Sequence, residues 1–118
     1  MKRGNVRKFG RVRSKRKALH KALATALIEH GKIKTTAAKG KAVASYVEKL
    51  VTKSKNADVA VRRELSTGLG TKAVSTLTKN IAPLFADVKS GYTRITKFGR
   101  RISDGSAMVM VEFTKSWK

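Results

Sequence analysis

The sequence predicts an α+β fold: about four amphipathic helices, followed by a C-terminal β-hairpin and preceded by a basic N-terminal extension. Three observations point to it. From about Ser14 to Ile81, apolar residues recur at spacings of three and four, the period of helices that bury one face. Beyond Pro83 the pattern changes. Residues 92–98 mix β-branched, aromatic and basic side chains, and residues 108–113 form an apolar run of strand length. Before Ser14 there is cationic charge and almost nothing apolar.

The extension, residues 1–13, comes first. Within residues 2–17 stand nine cations, Lys2, Arg3, Arg7, Lys8, Arg11, Arg13, Lys15, Arg16 and Lys17, and the first acid is Glu29. Met1, Val6, Phe9 and Val12 are too few to form a core. Such a block is expected to be disordered alone and to order on a polyanion. A single globular domain is expected over residues 14–118.

The first helix opens near Ser14, a plausible N-cap. Leu19, Leu23 and Leu27, flanked by Ala22 and Ala26, make its apolar stripe. Lys17 and Lys21 fall opposite, and Gly31 suits its C-terminal cap. On this pattern His30 lies with the stripe, and His20 faces solvent or RNA. Residues 32–35 alternate and read as a short edge strand. Thr35 or Thr36 then caps a second helix reaching about Ser54, with Val43, Val47, Leu50 and Val51 inward and Lys39, Lys41, Lys49 and Lys53 on its surface. Gly40 inside that helix costs about 1 kcal/mol against Ala, which raises the question of a close approach there.

A third helix spans about residues 58–69 through Val61, Leu65 and Leu69. A fourth opens at Thr71 and carries Val74, Leu77 and Ile81. Pro83 disfavours helical geometry at Ala82, so the helix is expected to end or kink there. The hairpin follows, with a loop over residues 99–107. The tetrapeptide Lys-Phe-Gly-Arg occurs at residues 8–11 and again at 97–100, too short a recurrence to carry weight. No solenoid-length repeat is visible.

Composition narrows the function. The 118 residues suit one domain, and 41% apolar content is enough for a modest core. Lys and Arg number 28 against 7 Asp and Glu, a net charge of +21. Self-repulsion at that charge calls for a polyanionic partner, most commonly nucleic acid. With no cysteine there is no disulfide, thiolate metal site or Cys nucleophile. No apolar run is long enough to span a membrane, and no apolar segment follows the basic start as a secretory signal would require. No paired carboxylates, Ser-centred nucleophile motif or Gly-rich phosphate loop is present. His20 and His30 have no third ligand near them in sequence. Neither an enzyme, a cofactor, a metal nor a small-molecule substrate is expected.

What remains is the cationic surface. Lys and Arg contact phosphate, Arg bidentately. In the hairpin, Arg94, Lys97, Arg100 and Arg101 add to it. Tyr92 and Phe98 are candidates to stack on an unpaired base, with a core position the better reading for Phe98. A long flexible tail suits irregular RNA grooves better than duplex DNA. A nucleoid-type DNA-binding protein is the alternative, but it requires a symmetric arm or groove-reading helix, whereas the charge here is gathered asymmetrically in one tail.

Several stretches carry a resemblance to a known family. These are Ile81-Ala82-Pro83-Leu84-Phe85-Ala86-Asp87, Gly91-Tyr92-Thr93-Arg94-Ile95-Thr96-Lys97-Phe98-Gly99-Arg100-Arg101 with Asp104-Gly105, and Ala24-Thr25-Ala26-Leu27-Ile28-Glu29-His30-Gly31-Lys32-Ile33-Lys34-Thr35-Thr36. Together they resemble the bacterial large-subunit ribosomal protein seventeen family over about residues 14–113. Lys15-Arg16 departs from a His-Arg pair common there. The resemblance implies helices packed on a small mixed β-sheet and an extension running into ribosomal RNA. It further implies a site near the outlet of the nascent-peptide tunnel among neighbouring ribosomal proteins, a role in subunit assembly, and a cytoplasmic location, with an organellar ribosome left open. The expected RNA-binding residues are the nine cations of the extension and first helix, Lys21, Thr35, Thr36 and Lys39, and Tyr92, Arg94, Lys97, Arg100 and Arg101 of the hairpin.

Overall fold

The computed structural model of the chain describes residues 9–56 and 58–115. The expectations placed on Lys2, Arg3, Arg7 and Lys8 lie outside the described residues.

Helix α1 runs Arg13–His30. It opens without a side-chain cap: Val12 takes the N-cap position and its carbonyl accepts from Arg16 N at 2.9 Å, so Ser14 sits inside the first turn. Gly31 ends it as the sequence predicts, at φ 84° with its N–H on Leu27 O. The buried face is centred on Ala24, Leu27 and Ile28. Leu19 and Leu23 are only half-buried. A strict four-residue spacing drifts around a helix of 3.6 residues per turn, which turns the upper leucines toward the rim. His30 is exposed rather than in the core.

Strand β1, Lys32–Thr36, leads into α2, Ala37–Ser54, which buries Gly40, Val43, Ala44, Val47, Val51 and Ser54. Thr36 is its N-cap residue but makes no side-chain cap bond. Gly40 has the close approach that its position suggests. A Cβ there would lie 2.5 Å from Val109 Cγ2 and 3.2 Å from Val111 Cγ2, so only glycine lets α2 lie this close on the sheet. Helix α3, Val59–Gly68, is capped by Asp58, whose carboxylate accepts from Val61 N at 2.8 Å.

The fourth helix runs one residue beyond Pro83. Its α-helical part, Thr71–Thr76, continues as a π-helical turn, Leu77–Ile81, and a last turn, Ala82–Leu84. Ala82 is helical at φ −56° and ψ −42°, and its N–H reaches Leu77 O five residues back. The wider turn accommodates a proline that cannot donate to the residue four before it. Helical geometry is therefore kept at Ala82, and the helix ends at Leu84, one residue beyond Pro83.

Strands β2, Thr93–Arg100, and β3, Ala107–Phe113, form the expected hairpin, with a loop shorter than expected, residues 101–106. β3 is central in the order β1-β3-β2, and both pairings are antiparallel. The sheet is therefore antiparallel throughout and not mixed. β1 runs out of α1 through the tight Gly31 turn and meets β3 head to tail, with Ile33 opposite Val111. The helices cover one sheet face. Val109, Val111 and Phe113 enter a core with Leu27, Ile28, Val43, Val47, Leu65, Leu77, Ile81 and Phe85. Each such side chain gains about 1.5–3 kcal/mol on burial.

Candidate nucleic-acid interface

Charge is distributed unevenly over this frame. Six of the acids, Glu29 apart, serve internal structure among the described residues. Asp58 caps α3, Glu48 accepts from Tyr92 N at 2.9 Å, and Glu64 pairs with Lys53 across α2 and α3. Asp87 lies 3.8 Å from Lys115, Glu112 takes both Nε and Nη2 of Arg94, and Asp104 takes both Nε and Nη2 of Arg101. None of these acids pairs with a cation of α1.

The start of α1 is thus a cationic stretch, its cations spread around the helix, without counter-charge among the described residues. Arg13, Lys15 and Lys17 are exposed, and Arg16 and Lys21 half-buried. The chain before it does not simply leave the surface. Phe9 and Gly10 both have positive φ, 55° and 62°, so the backbone turns back. Arg11 Nη1 donates to Phe9 O at 2.8 Å, and Arg16 Nη1 to Arg11 O at 3.4 Å. The Phe9 ring meets the His20 ring edge-on at 6.1 Å, and His20 in turn lies 5.9 Å from Tyr46. His20 is therefore a packing residue, half-buried between two aromatics, with Nε2 buried and without a hydrogen-bond partner among the described residues. Phe9 thus packs on α1 through His20, outside the hydrophobic core.

The second basic region is the hairpin. Arg94 and Arg101 are tied to acids, whereas Lys97 and Arg100 have no acidic partner among the described residues. The tip is tightly connected: Arg101 N donates to Ser106 O, Gly105 N to Arg101 O and Arg100 Nη1 to Gly105 O, all at 2.8 Å. Ser106 N donates to Asp104 Oδ1 at 3.1 Å. The Arg101 guanidinium, and then the Ser106 N–H, hold the Asp104 carboxyl well below the usual carboxylate range.

The two hairpin aromatics exchange the places that the sequence suggests. Tyr92 is only 1% exposed and cannot offer its ring to a base. It packs edge-on to Phe85 at 5.2 Å. Its hydroxyl donates to Lys89 O at 2.8 Å and accepts from Lys55 Nζ at 2.8 Å. Lys55, with Thr52, lowers the phenol from its ordinary value. Phe98, by contrast, is 50% exposed. Thr35 is buried against α2, and Thr36 and Lys39 are half-buried. Sequence reasoning missed Lys32 and Lys34. The alternation of β1 carries the signal, since with Ile33 and Thr35 inward both lysines stand on the outer sheet face. Among the described residues no three His, Asp or Glu converge as a metal site, and no helix is long and apolar enough to cross a membrane.

Residues 19–114 match the model of the family described as ribosomal protein L17. A protein of Persephonella marina named large ribosomal subunit protein bL17 is 47% identical over 116 residues, covering 96% of this chain and 94% of that protein. A protein of the same name from Nautilia profundicola is 46% identical over 112 residues, covering 91% of this chain and 92% of that one.

Proposed function

The chain belongs to the ribosomal protein L17 family, and from that premise we propose that it binds large-subunit ribosomal RNA near the peptide exit tunnel and supports assembly of the subunit. It is a non-enzymatic structural component of the large ribosomal subunit, in the bacterial cytoplasm. Ribosomal RNA and neighbouring ribosomal proteins are its partners. Residues 1–13 act as the RNA-directed extension and residues 14–118 as the folded domain that aims it.

The observation that carries the RNA-binding reading is the cationic stretch at the start of α1, whose counter-charge the described part of the chain does not supply. Phosphate supplies it, with release of condensed counterions as the driving force. The turn at Phe9 and Gly10 supports the reading because it holds Arg11 beside the cations of α1. Of the candidate contacts, Arg11, Arg13, Lys15, Arg16, Lys17 and Lys21 form one phosphate-facing group, and Lys97 and Arg100 a second. Arg94 and Arg101 shape the hairpin and contact RNA only with their remaining donors.

A tagged copy of the chain, expressed in bacteria and sedimented through a sucrose gradient at high magnesium, tests the assignment. Co-migration with the large subunit is expected. Recovery of all the protein at the top of the gradient would refute it.

A further inference from the structure

The helices leave the other face of the sheet uncovered. There, cross-strand partners share rows: Lys34, Met110 and Thr96 form one, and Thr36 and Met108 the next. Between the pairs Lys97↔Val109 and Arg100↔Ala107 the register shifts, so Phe98 and Gly99 together stand opposite Met108. This is a β-bulge, a device that bends a strand and re-aims a side chain. Gly99 adopts φ 88°, which a side chain would strain. The bend leaves the Phe98 ring half-exposed beside Met108, with Lys34 Nζ 4.4 Å from the ring centroid. A cavity of about 450 Å³ opens here, lined among others by Lys34, Phe98, Arg100, Ile102 and Met108.

We propose that this cavity holds one unstacked RNA base, with the Phe98 ring as its stacking surface and Lys34 and Arg100 on the flanking phosphates. The proposal rests on the RNA-binding reading above and deepens it, since it adds recognition of a base to contact with phosphate. The volume lies in the range of about 300–1,000 Å³ that holds a small ligand. The apolar floor of Phe98, Met108 and the fully exposed Ile102 is ringed by cations. Protein–protein interface cores are depleted of charge, so an anionic, flat ligand fits better than a protein neighbour. No acid lines the cavity; Asp104 is held by Arg101 and Glu112 by Arg94, so Lys34 and Arg100 have no acidic partner among the described residues. Lys34 already shows that the ring face is accessible and attracts a cation. When a base stacks there, the flexible lysine stem swings its ammonium to the phosphate.

The test uses the full chain and three probes at one salt concentration: single-stranded oligouridylate, an RNA duplex, and inorganic polyphosphate, which carries phosphate without bases. Phe98→Ala and Phe98→Leu should weaken oligouridylate binding by roughly 5- to 150-fold, the effect of losing one base–aromatic stack. Phe98→Tyr, which keeps the ring, should bind as the wild type does. All three variants should bind the duplex and polyphosphate unchanged, whereas Lys34→Ala should weaken binding to every probe. Circular dichroism confirms that each variant is folded, as expected for a half-exposed position. If Phe98→Ala leaves oligouridylate binding intact, the ring holds no base and the proposal is overturned, while RNA binding by the chain stands. Equal weakening on polyphosphate would overturn it too, because the ring would then act only through the local backbone. If the wild-type chain binds neither RNA probe, the RNA-binding reading itself falls.

Discussion

At the hairpin, Arg101 lies 2.7 Å from Asp104 and Arg94 lies 2.9 Å from Glu112, whereas along α1 no acid among the described residues pairs with Arg13, Lys15, Arg16, Lys17 or Lys21. Both regions are strongly basic in sequence. In the hairpin, two of the four cations are paired with acids, Arg94 with Glu112 near the open end and Arg101 with Asp104 at the tip. At the head of α1, nothing described offsets the charge. The difference teaches that a count of cations overstates what is available to a partner. Exposed ion pairs add only about 0–1 kcal/mol to stability, but they occupy the donors that would otherwise meet phosphate.

The largest effect that separates the regions should come from deleting residues 1–12. Five cations go with it, Lys2, Arg3, Arg7, Lys8 and Arg11. Affinity for a large-subunit RNA fragment at 0.1 M salt should fall by about 10³-fold, taking each as one phosphate contact. Filter binding or fluorescence anisotropy reads this directly, and a loss no greater than that from a single hairpin substitution would break the comparison.

A core lesion should strike both regions together. Leu27 is fully buried, whereas Leu23 sits at the rim. Leu27→Ala should destabilise the fold by about 2–5 kcal/mol in urea unfolding, and Leu23→Ala by clearly less. Equal costs would mean that the buried face of α1 is wrongly placed.

Within the hairpin, Arg100→Ala should weaken RNA binding roughly 10- to 100-fold, the cost of a well-formed charged hydrogen bond. Arg101→Ala should act differently: it frees Asp104 and loosens the turn, so the Ser106 amide should lose protection from hydrogen exchange. Loss of that protection in Arg100→Ala instead would reverse the two roles.

The smallest effect is a pH dependence. The Asp104 carboxyl is depressed in the folded chain by Arg101 and the Ser106 N–H. Its contribution is present above the ordinary aspartate value of about 3.9 and lost as pH falls through the lower, folded value. Carbon-13 NMR should find Asp104 still ionised at pH 3.9, and titration at the ordinary value would show that the tip pair does not form in solution.

Much of this architecture is legible from residue order, because the core is built from local periodicity. The inward faces of α2 and α3, the Gly31 cap and both hairpin strands follow from period and turn chemistry. What escapes reading depends on an irregular turn or on partners far away in sequence. Pro83 looks like a helix end until a π turn five residues long absorbs it. Tyr92 and Phe98 differ by burial that only the packing of Phe85 and Lys55 decides. The repeated Lys-Phe-Gly-Arg says little by itself. Yet both its glycines adopt positive φ, 62° at Gly10 and 88° at Gly99, and both its phenylalanines sit beside a nitrogen-bearing side chain, His20 and Lys34.

The salt dependence of RNA binding tests the central claim most directly. A surface whose cations wait for phosphate should release counterions on binding. For about 6–10 contacts, affinity of the full chain should fall by ~10³–10⁵ between 50 and 200 mM salt. Deletion of residues 1–12 should flatten that slope, while Arg101→Ala, which removes an internally paired charge, should leave it nearly unchanged. A flat response in the full chain, or a slope that the deletion does not alter, would contradict the account.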